Sequence, residues 1–94
     1  MDDLWLDGKA WRTSDDFFDA YLKAVGAPDW HGRNLDALWD SLVGGDINER
    51  NPPLRIHIIG TAQMGDGARQ MVHQFKRLAS EAQSEHTAIE VNLE

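Results

Sequence analysis

Residues 30–45 read WHGRNLDALWDSLVGG, and the rest of the chain is easiest to place around them. Gly32-Arg33-Asn34 opens a helix that runs over about 34–43, and Gly44-Gly45 ends it. At about 100° per residue from Leu35, Leu38, Trp39 and Leu42 all fall within about 60° of it and form one apolar stripe. Val43, Asp36 and Asp40 fall at about 80°, 100° and 140°, so both carboxylates flank the same edge of that stripe, next to Trp39. Two like charges four apart repel by a few tenths of a kcal/mol. No Lys or Arg stands at position 37, 39, 41 or 44 to pair with either acid. Arg33, at about 160°, is the one cation expected to relieve part of the repulsion. Trp39 at this spacing reads as a core residue whose edge reaches the surface.

Upstream, Leu4-Trp5-Leu6 before the turn signal Asp7-Gly8 predicts a strand over 3–7. SDDFFDAYLKAV, residues 14–25, places Phe17, Phe18, Tyr21, Leu22 and Val25 on one helical stripe. Thr13 and Asp16 fit a capping box at its start, and Gly26 suits its end. Downstream, Asp46 to Pro53 is a polar loop with two prolines. Leu54, Ile56 and Ile58 alternate with Arg55 and His57 as a second strand. Gly60 to Gly67 is a connector with room for one helical turn. Residues 67–83 carry Ala68, Met71, Val72, Phe75, Leu78, Ala79 and Ala82 on one stripe, a helix. Ile89, Val91 and Leu93 alternate with polar residues as a third strand. The order β-α-α-β-α-β predicts a small three-stranded parallel sheet packed against about three to four helices, because strands joined by helical crossovers run parallel. The polar alternation of the last strand predicts that one face of the sheet stays partly wet, against the habit of parallel sheets.

The bulk numbers exclude several classes. With 94 residues the chain is expected to form one domain spanning 1–94. There are no cysteines, hence no disulfide, thiolate metal site or cysteine nucleophile. No apolar run is long enough for a transmembrane helix. MDDLWLDGK lacks the basic and apolar regions of a signal peptide. A cytoplasmic location is expected. The formal net charge is −7, and residues 1–48 supply −6 of it, with ten Asp against four Lys or Arg. Such an acidic half repels nucleic acid and anionic membranes and attracts basic partners. His31, His57, His73 and His86 show no zinc-like spacing, so neither a metal nor a cofactor is expected. Paired carboxylates can act as acid and base, but two Asp on a convex helix face lack a cleft to raise either pKa, which argues against an enzyme. His31, on the loop, reads as a polar surface residue.

Ten positions in the opening stretch, Gly32, Asn34-Leu35-Asp36-Ala37-Leu38-Trp39-Asp40, Leu42 and Gly44, resemble the signature of the barstar family. These are intracellular protein inhibitors of secreted microbial ribonucleases such as barnase. Looser agreement extends over nearly the whole chain: the order of elements, Pro53-Leu54 before the second strand, and Gly67-Ala68 with Phe75 in the long helix. The resemblance implies a barstar-like α/β fold and a 1:1 heterodimer with a small basic ribonuclease. It implies that Asp40 enters the enzyme's active site in place of the RNA phosphate, and that Asp36 faces neighbouring basic residues. By the same resemblance Trp30 lies against the catalytic histidine, with His31 beside it. Gly32 and Asn34 make close backbone and amide contacts, Trp39 packs at the interface edge, and Val43 and Gly44 line the far end.

The sequence departs from the family pattern in the long helix, where Arg77 stands in place of an acid that touches the enzyme. Gly45 stands where an aromatic is frequent, and the segment between the second strand and the long helix is shorter. These departures leave open a barstar-like immunity or regulatory module for a different basic toxin or cytosolic protein.

Overall fold

A computed structural model describes residues 1–94. Strand β1 (Asp2–Asp7) is followed by helices α1 (Ser14–Ala24) and α2 (Leu35–Val43), strand β2 (Leu54–Ile59), a 3₁₀ turn (Thr61–Gln63), helix α3 (Asp66–Ser84) and strand β3 (Ile89–Leu93). The observed ends lie within about two residues of those the sequence predicts. The strand order is β1-β2-β3, with both pairs parallel. Leu4 and Leu6 align with Ile56 and Ile58, and Leu54 and Ile56 align with Ile89 and Val91, so one face of the sheet is continuous hydrocarbon.

That face packs on α1 and α3. Phe17, Tyr21 and Phe75 are fully buried where the two helices meet, with ring centroids 5.0 to 5.6 Å apart. Trp11, in the loop before α1, closes the end of this cluster edge-on to Phe17. One contiguous core of 22 buried residues results.

The other face is the wet one that β3 predicts. Trp5 is 63% exposed there and stacks on His57 at 3.9 Å. The His57 ring nitrogens lie 2.9 Å from Asp3 and 3.4 Å from Glu94, and Arg55 bridges Glu90 and Asp3. The outer edge of β3 is closed by α3: Lys76 donates to the Val91 carbonyl at 2.9 Å, and Gln83 donates to the Ile89 carbonyl. Capping those two carbonyls leaves fewer free acceptors on this edge for pairing with another chain.

Local chemistry fixes the start and stop of α1. The Asp16 carboxylate accepts the backbone N–H of Arg12 at 2.7 Å and of Thr13 at 3.2 Å, completing the capping interaction the sequence predicts. These bonds hold Asp16 below the usual carboxylate range, as the hydrogen bond from His57 does for Asp3. Gly26 ends the helix at φ 65°, where a residue with a Cβ is strained. Arg50 and Glu49 then bond back to the carbonyls of Val25 and Gly26 at 2.9 and 3.2 Å, tying the 46–53 loop to the end of α1.

Two outcomes test this account. Phe75→Ala empties the junction of α1 and α3 and should destabilise the fold by about 3–5 kcal/mol, read from urea unfolding. A loss below about 1 kcal/mol would contradict that packing. Asp16 and Asp3 are depressed acids, so their stabilisation is complete above an unfolded pKa of about 3.9 and is lost as pH falls through the lower folded values. Asp16→Asn should therefore flatten the fall in urea midpoint between about pH 4 and pH 2, and an unchanged profile would refute the cap's role.

Candidate functional site

The site is built on α2, nine residues long and capped at both ends. Asn34 is the N-cap: its backbone is extended and its Oδ1 accepts the Ala37 N–H at 2.8 Å. Gly32 lies tight against this cap, since a Cβ there would sit 3.0 Å from both Ala37 Cβ and Asn34 Nδ2. At the other end the Gly44 N–H bonds to the Asp40 carbonyl at 2.9 Å, and a Cβ on Gly44 would press on that same oxygen at 2.6 Å. Gly45 has open space around it but a φ of 73°, so backbone conformation rather than room favours glycine where the family pattern has an aromatic.

The rotation of α2 about its axis decides which side chains are presented. Leu38 and Leu42 are buried, as the apolar stripe predicts, but the third buried residue is Ser41. Its hydroxyl is satisfied by donating to the Leu38 carbonyl at 3.1 Å, so a polar residue sits in the buried arc without penalty. The buried arc is therefore centred on Leu38 rather than on Leu35. Trp39 and Leu35 are left half-buried on one flank, packed against the core. Asp36, Asp40 and Val43 face solvent. Trp30, on the loop before the helix, is 73% exposed.

Arg33 does not relieve the acids of α2, contrary to the sequence expectation. Its Nη2 reaches Asp19 Oδ1 at 2.6 Å and the Asp15 carbonyl at 2.9 Å, and its Nε lies 3.4 Å from Asp15 Oδ1, all on α1. The guanidinium also lies 5.9 Å over the Phe18 ring. The Asp19 and Asp15 carboxylates raise the Arg33 pKa above its ordinary value. With that cation committed elsewhere, neither Asp36 nor Asp40 has a Lys, Arg or His partner within 4.0 Å. The positive end of the α2 dipole near Asp36 offsets part of the repulsion.

His31 also departs from its reading as a surface residue. It is 7% exposed, and its Nδ1 lies 2.7 Å from the Gly32 carbonyl, a spacing that requires the proton on Nδ1. Its Nε2 is buried without a protein partner. In the free protein His31 shapes the loop that carries Trp30 and does not itself form surface.

Beside Asp36, α2 meets α3 along a shallow groove of about 290 Å³. Leu35, Trp39 and Leu78 supply its apolar lining, and Asp36, Arg77 and Glu81 its charges. Gln74, on α3, lines it too. Gln74 and Glu81 were not legible as site residues: their positions flank the stripe of α3, but which flank faces α2 depends on helix packing. No group of three or more His, Cys, Asp or Glu side chains is arranged to hold a metal ion. No helix is long and apolar enough to cross a membrane.

A short, rigidly capped helix thus presents two unpaired carboxylates with one indole beside them and another on the preceding loop. Comparison with known proteins agrees with that pattern. The sequence matches the family described as Barstar (barnase inhibitor) over residues 1–94. It is also 39% identical over 44 residues to a Bacillus subtilis (strain 168) protein named "Putative ribonuclease inhibitor YrdF". That alignment covers 47% of this chain and 48% of the relative, so the chain spans about half the length of the curated relative it matches. Fold, site helix and whole-length match converge on one statement: this chain belongs to the barstar family.

Proposed function

We propose that the protein inhibits a small basic microbial ribonuclease by placing the Asp40 carboxylate where the enzyme binds an RNA phosphate. The observation that carries this reading is the pair of exposed acids on α2 with no ion-pair partner, while Arg33, the cation nearest to them in sequence, is spent on α1. A ribonuclease pocket is preorganised for an anion, with Arg and Lys donors fixed around the phosphate position. A carboxylate on a capped helix meets those donors without having to be ordered first, which keeps the entropic cost of binding low.

Asp36, one turn earlier, faces basic residues at the rim of that pocket. Trp30 covers the catalytic base, and Trp39 seals the edge of the contact. Gly32 and Asn34 contact the enzyme through the backbone and the amide, and Val43 and Gly44 close the far end. His31 acts through the shape of its loop. The stoichiometry is one to one, and the cofactor-free inhibitor works by occlusion, with no chemistry of its own. The net charge of −7 accelerates encounter with a basic enzyme. A second reading, a barstar-like immunity module for a different basic toxin, is favoured by Arg77, whose positive charge lines the groove next to Asp36.

Titrating the protein into a panel of small basic microbial ribonucleases, with RNA cleavage as the readout, tests the proposal. At least one enzyme should be inhibited stoichiometrically. Asp40→Ala should weaken that inhibition by about 2–5 kcal/mol, or about 30- to 4,000-fold, a range for which barnase–barstar is itself a reference case. Glu90→Ala, on the sheet face, should change it by about twofold or less. If no enzyme is inhibited, or Asp40→Ala matches the parent, the reading is wrong. A second measurement concerns rate. The association rate constant should fall at least about tenfold between about 50 mM and 500 mM salt, as rim and pocket charges are screened. A salt-independent rate would contradict electrostatic steering.

A further inference from the structure

The groove between α2 and α3 mixes charge in a way that Asp40 and Asp36 alone do not explain. Most cations of this acidic chain have a visible task. Lys9, Arg33, Arg55 and Arg69 are in ion pairs. Arg12 donates to three carbonyls, and Lys76 caps Val91 on the edge of β3. Lys23, Arg50 and Arg77 have no such partner, and of these only Arg77 shares a groove with Asp36. Two carboxylates, Asp36 and Glu81, line that groove with Arg77, yet neither comes within 4.0 Å of a cation. Arg77 is exposed on a well-formed stretch of α3, while Leu78 next to it is buried and fixes the rotation of that turn.

A uniformly basic partner surface would satisfy Asp40 and Asp36 but would set like charges against Arg77. Like-charge juxtaposition across an interface costs several kcal/mol and is a common means of rejecting wrong partners. Arg, with its planar fork of donors, matches a carboxylate in bidentate geometry. Resting on the ribonuclease-inhibitor reading, we infer that the partner carries an Asp or Glu at the border of its basic pocket, and that this carboxylate pairs with Arg77. The surface the protein recognises is then basic opposite Asp40 and Asp36 and acidic opposite Arg77. Arg77 selects, among basic ribonucleases, those with that acid.

The test uses an enzyme that the panel shows to be inhibited. Inhibition constants are compared for the parent, Arg77→Gln, Arg77→Glu and Asp40→Ala, all in the full chain. Arg77→Gln should weaken inhibition about tenfold and Arg77→Glu about a hundredfold or more, although the latter makes the inhibitor two charges more acidic. Acids bordering the enzyme's active site are then changed to Lys one at a time. One of these variants should recover at least about tenfold of the affinity lost by Arg77→Glu, as expected of a restored pair. If Arg77→Glu binds as tightly as the parent, or more tightly, while Asp40→Ala remains weak, the Arg77 assignment falls and the inhibitor reading stands. If Asp40→Ala also binds like the parent, both fall.

Discussion

Burial of Leu38 and Leu42 in the core fixes the rotation of α2, and the presentation of every proposed contact residue on that helix follows from it. A nine-residue helix is too short to be stable by itself in water, so tertiary packing has to hold it. Once Leu38, Ser41 and Leu42 are inside, helical geometry leaves Asp36, Asp40 and Val43 outside and Trp39 on the boundary. The caps at Asn34 and Gly44 stop the helix from fraying at either end. The result is a surface whose side chains are positioned by the core.

Charge allocation completes the arrangement. Arg33 stands one residue before the cap of α2 and could have neutralised its acids, yet it reaches across to α1 and joins two acids there. Exposed ion pairs of this kind contribute little to stability. Their larger effect here is on where charge is left over: α1 is partly neutralised, and α2 is not. The same economy of cations appears on the wet sheet face, where Arg55 and His57 lie among four carboxylate contacts. Other carboxylates, among them Asp2, Asp29, Asp46, Glu49 and Glu85, also lack a cationic partner, and Asp36 and Asp40 differ from them in sharing the exposed face of α2 beside Trp39.

Much of this was legible in the sequence. Alternation in residues 54–58 and 89–93 and helical stripes in 14–25, 34–43 and 67–83 reflect periods of burial that local patterning carries directly. The family resemblance rests on the NLDALWD run, where helix, core and exposed acids coincide. Strand order was not legible, because which strand takes the centre is a choice of tertiary packing. Neither was the buried Ser41, which no hydrophobic pattern marks, nor the burial of His31, which a short polar loop does not announce. The destination of Arg33 was misread because a side chain of that length reaches two elements and sequence spacing favours neither. Trp11 illustrates the same limit: a loop residue with no periodic neighbours closes the core.

The central claim is that a carboxylate of α2 occupies the site where the ribonuclease would hold a phosphate. Calorimetric titration of an inhibited enzyme, with inorganic phosphate varied at constant ionic strength, reads this directly. If the claim holds, the apparent Kd rises linearly with phosphate concentration and the two ligands exclude each other. A Kd unchanged while phosphate saturates the enzyme would mean that Asp40 lies elsewhere, and the account would fail.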